Sequence, residues 1–361
     1  MKKTLLASIL ISSGTGAIAQ SSVTLYGIVD ATVQYASQDD VHVTRLLGNG
    51  GLQSSRLGFR GVEDLGGGLK AGFTLEAGVN VDSGAGFATS ADNQTTPAAP
   101  AGGQGVTFNR RATVSLLGGW GELRVGRDFV PTYLNLTGFD PFGDSGAGSI
   151  THIAQGGLTR SSTVQTAVRA SNSIAYHLPP ALAGVYGQAM HARGENASNA
   201  PGGTDNDGNY SGLRVGYAAG PFSVAVSYGK TTLASGDVSV ANLGGSFDFG
   251  FAKAMAQYFR DSKDVVAAPS DSHGWMIGGQ INLGSGYIPV SYATVTDNAA
   301  PNRTAKQLAA GYVYNLSKRT ALYTTFSYIE NENGADLSGG GVPGVANKPW
   351  RAWDLGIRHS F

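Results

Sequence analysis

The sequence predicts an all-β chain folded as a transmembrane antiparallel β-barrel of about sixteen strands, and three observations predict it. Short segments in which apolar and polar residues alternate run from Val23 to the C-terminus. Very short connections alternate along the chain with long, polar ones. The chain ends on an aromatic residue, Phe361, while its last segment is still alternating.

The alternation is clearest at residues 54–78, SSRLGFRGVEDLGGGLKAGFTLEAG, which reads as two strands joined at a glycine-rich turn. Leu57 and Phe59 fall on one face, and Arg56 and Arg60 fall on the other. An arginine facing lipid at mid-bilayer would cost roughly 2–4 kcal/mol. We therefore expect the apolar face to meet lipid and the arginines to line a water-filled interior. The same parity puts six more charged residues inside, namely Lys70, Glu76, Arg124, Arg169, Arg214 and Lys253.

The lengths of the connections predict that one rim of the barrel carries short turns and the other carries long loops. Turns such as LGGG at 65–68 and GSG at 284–286 are short. The long, polar connections are 36–53, 81–106, 128–163, 193–209, 261–271 and 332–349. Short periplasmic turns and long external loops are typical of outer-membrane barrels.

Composition supports strands and limits the chemistry. Glycine supplies 54 of 361 residues, about twice its average share, and there is no cysteine for a disulfide or a thiolate site. The N-terminus reads as a signal peptide over residues 1–19, with a basic start, a short apolar stretch and small residues before Gln20. An ordinary N-terminal helix is the alternative. After it, no apolar run is long enough for a membrane helix, and the predicted barrel domain is 20–361.

The charge balance argues against a nucleic-acid partner. The chain carries 25 basic and 25 acidic residues, and cleavage after residue 19 would remove Lys2 and Lys3 and leave a net charge of −2. We expect no cofactor and no metal, because the six histidines show no metal-ligand spacing. We also expect no enzyme activity, since the adjacent residues of Asp271–Ser272–His273 cannot form a triad.

Several stretches resemble the general diffusion porins of Gram-negative outer membranes. They are SSVTLYG at Ser21–Gly27, RLGFRGVEDLGGGLKA from Arg56, FNRRATVSLLGGWGELRVGR from Phe108, RASNSIAY from Arg169, and the terminal Phe361. The resemblance implies a sixteen-stranded barrel, usually a homotrimer among outer-membrane lipids, that passes small hydrophilic solutes and ions. It also implies that a third loop, here about 128–163, folds into the lumen as a constriction, and that Phe361 is an assembly signal read by the barrel assembly machinery.

The resemblance further implies that basic wall residues face acidic residues of the third loop. Arg56 and Arg169 match family positions, and Arg60 shares the face of Arg56. On the fourth strand, apolar parity puts Arg111 inside, the family motif puts Arg110 inside, and a bulge would bring in both.

The acidic residues of the predicted constriction loop are Asp140 and Asp144, in FDPFGDSG. Each is either a pore carboxylate or a loop cap in an Asx-turn. Related porins often carry Pro-Glu-Phe-Gly-Gly here, and the glutamate is absent from this chain. Basic groups therefore outnumber the loop acids, and we expect a weak preference for anions.

Two other protein classes fit parts of the pattern. An outer-membrane enzyme would need a Ser–His pair on neighbouring strands near a rim, and no such pair stands out. A secreted soluble β-protein used for adhesion would need a large apolar interior and would be soluble without detergent.

Overall fold

A computed structural model of the chain describes residues 22–94, 105–155, 158, 164–199, 201–264, 270–298 and 301–361. The strands are β1 (Ser22–Gln38), β2 (Val41–Leu47), β3 (Arg56–Gly66), β4 (Leu69–Gly78), β5 (Arg111–Gly118), β6 (Gly121–Phe129), β7 (Arg169–His177), β8 (Val185–Ala192), β9 (Tyr210–Ala219), β10 (Phe222–Thr231), β11 (Asp237–Asp248), β12 (Ala252–Asp264), β13 (Ser270–Leu283), β14 (Gly286–Asp297), β15 (Thr304–Asn315), β16 (Thr320–Glu332) and β17 (Trp350–Ser360). The helices are α1 (Pro131–Gly138) and α2 (Thr151–Ala154), and 3-10 turns occur at Gln165–Ala167 and Pro201–Asn206. No helix in the described ranges has the length and hydropathy needed to cross a bilayer. The predicted signal peptide lies outside these residues.

The strands form one closed antiparallel sheet. Successive strands pair along the chain, and β1 closes the sheet by pairing with β17 from Ile28 opposite Ser360 to Gln38 opposite Trp350. Closure gives both edges of the sheet backbone partners, which a lipid environment requires because it offers no competing donors or acceptors.

Two of the seventeen strands share one place in the wall. The second half of β1 pairs with β2, from Gln38 opposite Val41, and its first half pairs with β3, from Ile28 opposite Arg56. The wall is therefore sixteen strands wide, as predicted. The prediction of a long loop at 36–53 was wrong, because Asp39 adopts a positive φ of 52° and reverses the chain in a tight hairpin.

The barrel is apolar outside and polar inside. In β1, Val23 and Leu25 are 65% and 55% exposed, whereas Asp30 and Gln34 are 0% and 2% exposed. Outward exposure of large apolar side chains continues on later strands, as at Leu243. This arrangement reverses that of a soluble sheet protein and is stable only where lipid covers the outer surface.

The two rims differ as the connections predict. One rim, called the turn rim here, carries the short connections and both described chain ends. The opposite rim, the loop rim, carries the long connections. At the turn rim, the amide and carbonyl of Phe361 exchange two hydrogen bonds of 3.1 Å with Gly27 of β1. The ring of Phe361 occupies the space above Gly27, where a Cβ would lie 2.3 Å from the ring atom Cζ.

Candidate functional site: the interior of the barrel

The segment between β6 and β7, described at residues 130–155, 158 and 164–168, enters the barrel, and α1 forms the first part of this internal loop. Asn135 on α1 donates from Nδ2 to Oδ1 of Asn242 on β11 (2.6 Å) and accepts at Oδ1 from Arg214 Nε on β9 (2.9 Å). The ring of Phe139 lies against Gly244 of β11, where a Cβ would come within 2.3 Å of it. The helix is thus held against inward-facing side chains of β9–β11.

The second part of the internal loop continues across β13–β17. Gln280 on β13 donates from Nε2 to the carbonyl of Pro141 (2.7 Å), and Gln307 on β15 donates to the carbonyl of Ser149 (3.2 Å). The amide of Ala147 donates to Asp354 on β17 (2.7 Å). Inward-facing polar side chains of the wall therefore hold the loop backbone, and the loop lines the half of the interior opposite β3–β7.

A second segment, residues 48–55 between β2 and β3, also turns inward. The amides of Leu52 and Gln53 donate to the buried carboxylate of Asp30 on β1 at 2.9 and 2.7 Å. Ser54 Oγ lies 3.1 Å from Oγ of Ser145 on the internal loop. This segment therefore connects β1 to the loop and narrows the interior further.

The inner face of β3–β7 carries an arginine cluster, which comprises Arg56, Arg60, Arg110, Arg111, Arg124, Arg127 and Arg169. Two of its members meet on Glu76 of β4: Arg110 Nε lies 2.7 Å from the carboxylate and Arg56 Nε lies 3.6 Å from it. Tyr26 of β1 donates its hydroxyl to the same carboxylate (3.1 Å) and lies beneath the guanidinium of Arg60, 5.2 Å from the ring centroid.

Arg110 and Arg111, at the start of β5, both point inward. Arg111 begins β5 with inward parity, and its Nε donates to Asp128 of β6 at 2.7 Å. Arg110 precedes the strand, where its amide bonds to the carbonyl of Glu76 (3.1 Å) and its side chain is buried against the carboxylate of Glu76. Period-two parity would put two adjacent residues of one strand on opposite faces. Arg110 lies before β5 and Arg111 lies in it, so this rule does not apply to the pair and both can face the interior.

A β-bulge adds Arg127, whose inward position alternation does not predict. The register between β6 and β7 shifts between Gly126 and Asp128, and Gly126 has a φ of +121°. By parity Arg127 would face lipid, but the bulge turns it to donate to the carbonyl of Asn109 (2.6 Å) and to Oγ of Ser171 (2.8 Å). The glycine before Arg127 is the signal that could have revealed it.

Arg169 faces the interior from the first residue of β7. Its guanidinium lies over the ring of Phe129, 4.2 Å from the ring centroid, and the two residues are opposite each other in the β6–β7 register. Within the described ranges, no carboxylate lies within ion-pair distance of Arg60, Arg127 or Arg169.

The two loop carboxylates have different surroundings. Asp140 is buried, and it accepts the amides of Phe142 (2.9 Å) and Ile150 (2.8 Å), which closes a turn of the loop. Burial raises the pKa of Asp140 to about 7. Asp144 accepts from the hydroxyl of Tyr133 (3.2 Å) and interacts electrostatically with Arg56 and Arg169.

The site therefore has two unlike sides. Seven arginines on β3–β7 or at the ends of these strands face a loop whose carboxylate nearest to them is Asp144. On the wall itself, Glu76, Glu122 and Asp128 pair with four of the arginines. Opposed charge across an aqueous gap with low-dielectric walls produces a strong transverse field.

A closed barrel with an outward apolar surface and a charged interior crossed by an internal loop defines a class of protein, the membrane channel built from β-strands. The chain matches the family model described as Gram-negative porin over residues 4–334. It belongs to the Gram-negative porin family. It is accordingly a channel of the bacterial outer membrane for passive diffusion, and not an enzyme.

Known proteins similar to the chain support this assignment. Outer membrane porin protein 32 of Delftia acidovorans is 35% identical, and the match covers 100% of both chains. An outer membrane porin protein of Bordetella pertussis is 30% identical, again over 100% of both. Among solved structures, the anion-selective porin from Comamonas acidovorans superposes with a TM-score of 0.81 at 34% identity, covering 95% of this chain and 100% of that one.

Proposed function

We propose that the channel has a weak preference for anions and that its narrowest part lies between the arginine cluster and the internal loop. The observation that carries this proposal is the excess of arginine over carboxylate on the inner face of β3–β7. Like charges that line a narrow aqueous passage raise the local concentration of counter-ions and lower that of co-ions. The similarity to a porin whose title describes it as anion-selective is further support.

In this proposal Arg56, Arg60, Arg110, Arg111 and Arg169 form the wall of the constriction, and the internal loop carries the opposing charge. Asp144 is the loop carboxylate that faces the passage. Asp140 serves the shape of the loop, since its oxygens are occupied by loop amides.

The test is the reversal potential across a KCl gradient in a planar bilayer of neutral lipids. The wild-type channel should show a modest preference for chloride. Arg169→Gln should reduce it, whereas Arg260→Gln, on the exposed outer end of β12, should not. A preference for potassium in the wild type would contradict the proposal.

We further propose that the protein is a homotrimer embedded in outer-membrane lipids. The outward apolar surface of the barrel supports the lipid environment, and the homotrimers usual in the family support the oligomeric state. In single-channel recordings the conductance of one particle should change in three equal steps, and cross-linking in detergent should give a species three times the monomer mass. A single step with a monomeric mass would refute it.

Two remaining proposals concern maturation. Residues 1–19 form a signal peptide, so the mature protein should begin at Gln20, which N-terminal sequencing of the purified protein would detect. Phe361 is the signal for the barrel assembly machinery, so its replacement should slow the appearance of folded barrel in the outer membrane.

A further inference from the structure

We propose that Phe129 is a positioning residue of the channel: its ring gathers three arginines of the constriction and links them to the internal loop. The guanidinium of Arg169 lies 4.2 Å from the ring centroid, and those of Arg110 and Arg111 each lie 5.7 Å from it. This inference rests on the proposed anion preference and identifies what spaces the charges responsible for it.

The chemistry of the ring explains why an aromatic residue suits this position. Three cations held close together repel one another, and a carboxylate would gather them only by cancelling one of their charges. The negative face of an aromatic ring attracts guanidinium groups without adding a formal charge. Phe129 thus contacts the three arginines without adding a negative charge to those of Glu76 and Asp128, which already pair with Arg110 and Arg111.

The ring also connects the wall to the loop. Phe129 stacks on Tyr133 of α1, with centroids 5.6 Å apart and planes inclined by only 5°. The hydroxyl of Tyr133 donates to Asp144, the loop carboxylate that interacts with Arg56 and Arg169. A continuous path of contacts therefore runs from Arg169 through two rings to the opposing charge, and it fixes the two sides of the constriction relative to each other.

The position of Phe129 follows from the strand register. It is the last residue of β6, it comes directly after the bulge, and it lies opposite Arg169. Arg169 Nε is buried without a hydrogen-bond partner among the described residues, and the guanidinium to which it belongs lies over the ring of Phe129.

The experiment replaces the ring and measures selectivity separately from conductance. In Phe129→Leu, the chloride-to-potassium permeability ratio should fall about twofold, as expected for the loss of a cation–π contact. Phe129→Met conserves volume better and should give the same fall, which keeps the test available if the leucine variant folds poorly. Phe129→Tyr keeps the ring face and should retain the wild-type ratio. Phe247→Leu on the lipid-facing side is the control for folding and insertion.

The outcomes separate this inference from the proposed function. A wild-type channel without anion preference overturns the proposed function. A wild-type preference that Phe129→Leu and Phe129→Met leave unchanged, in barrels that fold and insert normally, overturns the role of Phe129 alone. A loss of preference in Phe129→Tyr as large as in Phe129→Leu would also overturn it, because the ring face would then be irrelevant.

Discussion

Glu76 is the residue on which the inner charges of β3–β5 depend. Its carboxylate accepts from Tyr26, pairs with Arg110 and lies within ion-pair distance of Arg56. Because Arg110 is buried, removal of its partner leaves a guanidinium that neither water nor an acid can fully compensate.

The variant Glu76→Gln should therefore change both stability and selectivity. Breaking a buried pair costs about 3–5 kcal/mol, so the folded barrel should convert to the heat-denatured gel form at a lower temperature. The loss of a negative charge from the constriction should also increase the preference for chloride, as measured by the reversal potential. The control Glu330→Gln, on the exposed outer face of β16, should leave both unchanged.

At the scale of single residues, alternation predicted some positions and not others. Arg56, Arg60 and Arg111 lie on regular strands, where period-two parity determines the direction of a side chain. Arg110 lies just before a strand and Arg127 in a bulge, and there the direction of the side chain depends on local backbone angles.

The β5–β6 hairpin is the element in which one glycine sets the geometry of the constriction. Gly126 has a φ of +121°, and a Cβ there would lie 2.1 Å from the carbonyl oxygen of Ala112. Any side chain at this position must distort the bulge that directs Arg127 and Phe129.

Gly126→Ala should sharply lower the yield of folded, heat-modifiable barrel, because the substitution combines backbone strain with a steric clash. Gly119→Ala, in the turn of the same hairpin, is the matched control, since a Cβ on Gly119 would meet nothing within 4 Å. Equal yields for the two variants would show that the bulge tolerates a side chain.

The internal loop is the element with a built-in pH dependence. Burial raises the pKa of Asp140 to about 7, well above the value of about 3.9 for an unfolded aspartate. Between these two values the docked loop holds a proton that the undocked loop releases. Docking is therefore most stable below about pH 4 and loses stability as the pH rises through about 7.

Single-channel recordings should accordingly show more frequent conductance fluctuations at pH 8 than at pH 5. In Asp140→Asn the fluctuations should no longer depend on pH over this range, although the loop is weakened because the amide nitrogen cannot accept from a loop N–H. An identical pH profile in the variant and the wild type would assign the effect to another group.

The course of the internal loop was the part of the fold least accessible to sequence reasoning. The resemblance to porins implied an internal loop, but its contacts with Asn242, Gln280 and Gln307 join residues more than a hundred positions apart. The distinction between Asp140 and Asp144 depends on that course, because the same two carboxylates fit either a turn or a pore.

At the scale of the whole molecule, the wall was largely predictable from the sequence. A barrel in lipid must satisfy every backbone group and must direct its charges inward, so alternation and closure leave few arrangements. The exception was the place shared by β2 and β3, which depends on a tight hairpin at Asp39 and Asp40. These polar residues were read as the start of a long loop.

Phe361 affects the whole barrel because its backbone bonds to Gly27 at the seam between β1 and β17. Phe361→Ser should slow the accumulation of folded barrel in the outer membrane of cells, as measured by pulse-labelling and heat-dependent gel mobility. Phe251→Ser, an exposed aromatic at the same rim, is the control. If both variants accumulate at the wild-type rate, the terminal ring is not the assembly signal.

The seam between β1 and β17 also has a consequence for biosynthesis. The first strand, β1, must wait for the eleven residues of the last strand, Trp350–Ser360, before its flank from Ile28 to Gln38 finds a partner. A nonsense mutation that removes these residues leaves that flank unpaired. Premature termination upstream of β17 should therefore yield an open sheet with unpaired edge strands, which lipid cannot accommodate, instead of a smaller pore.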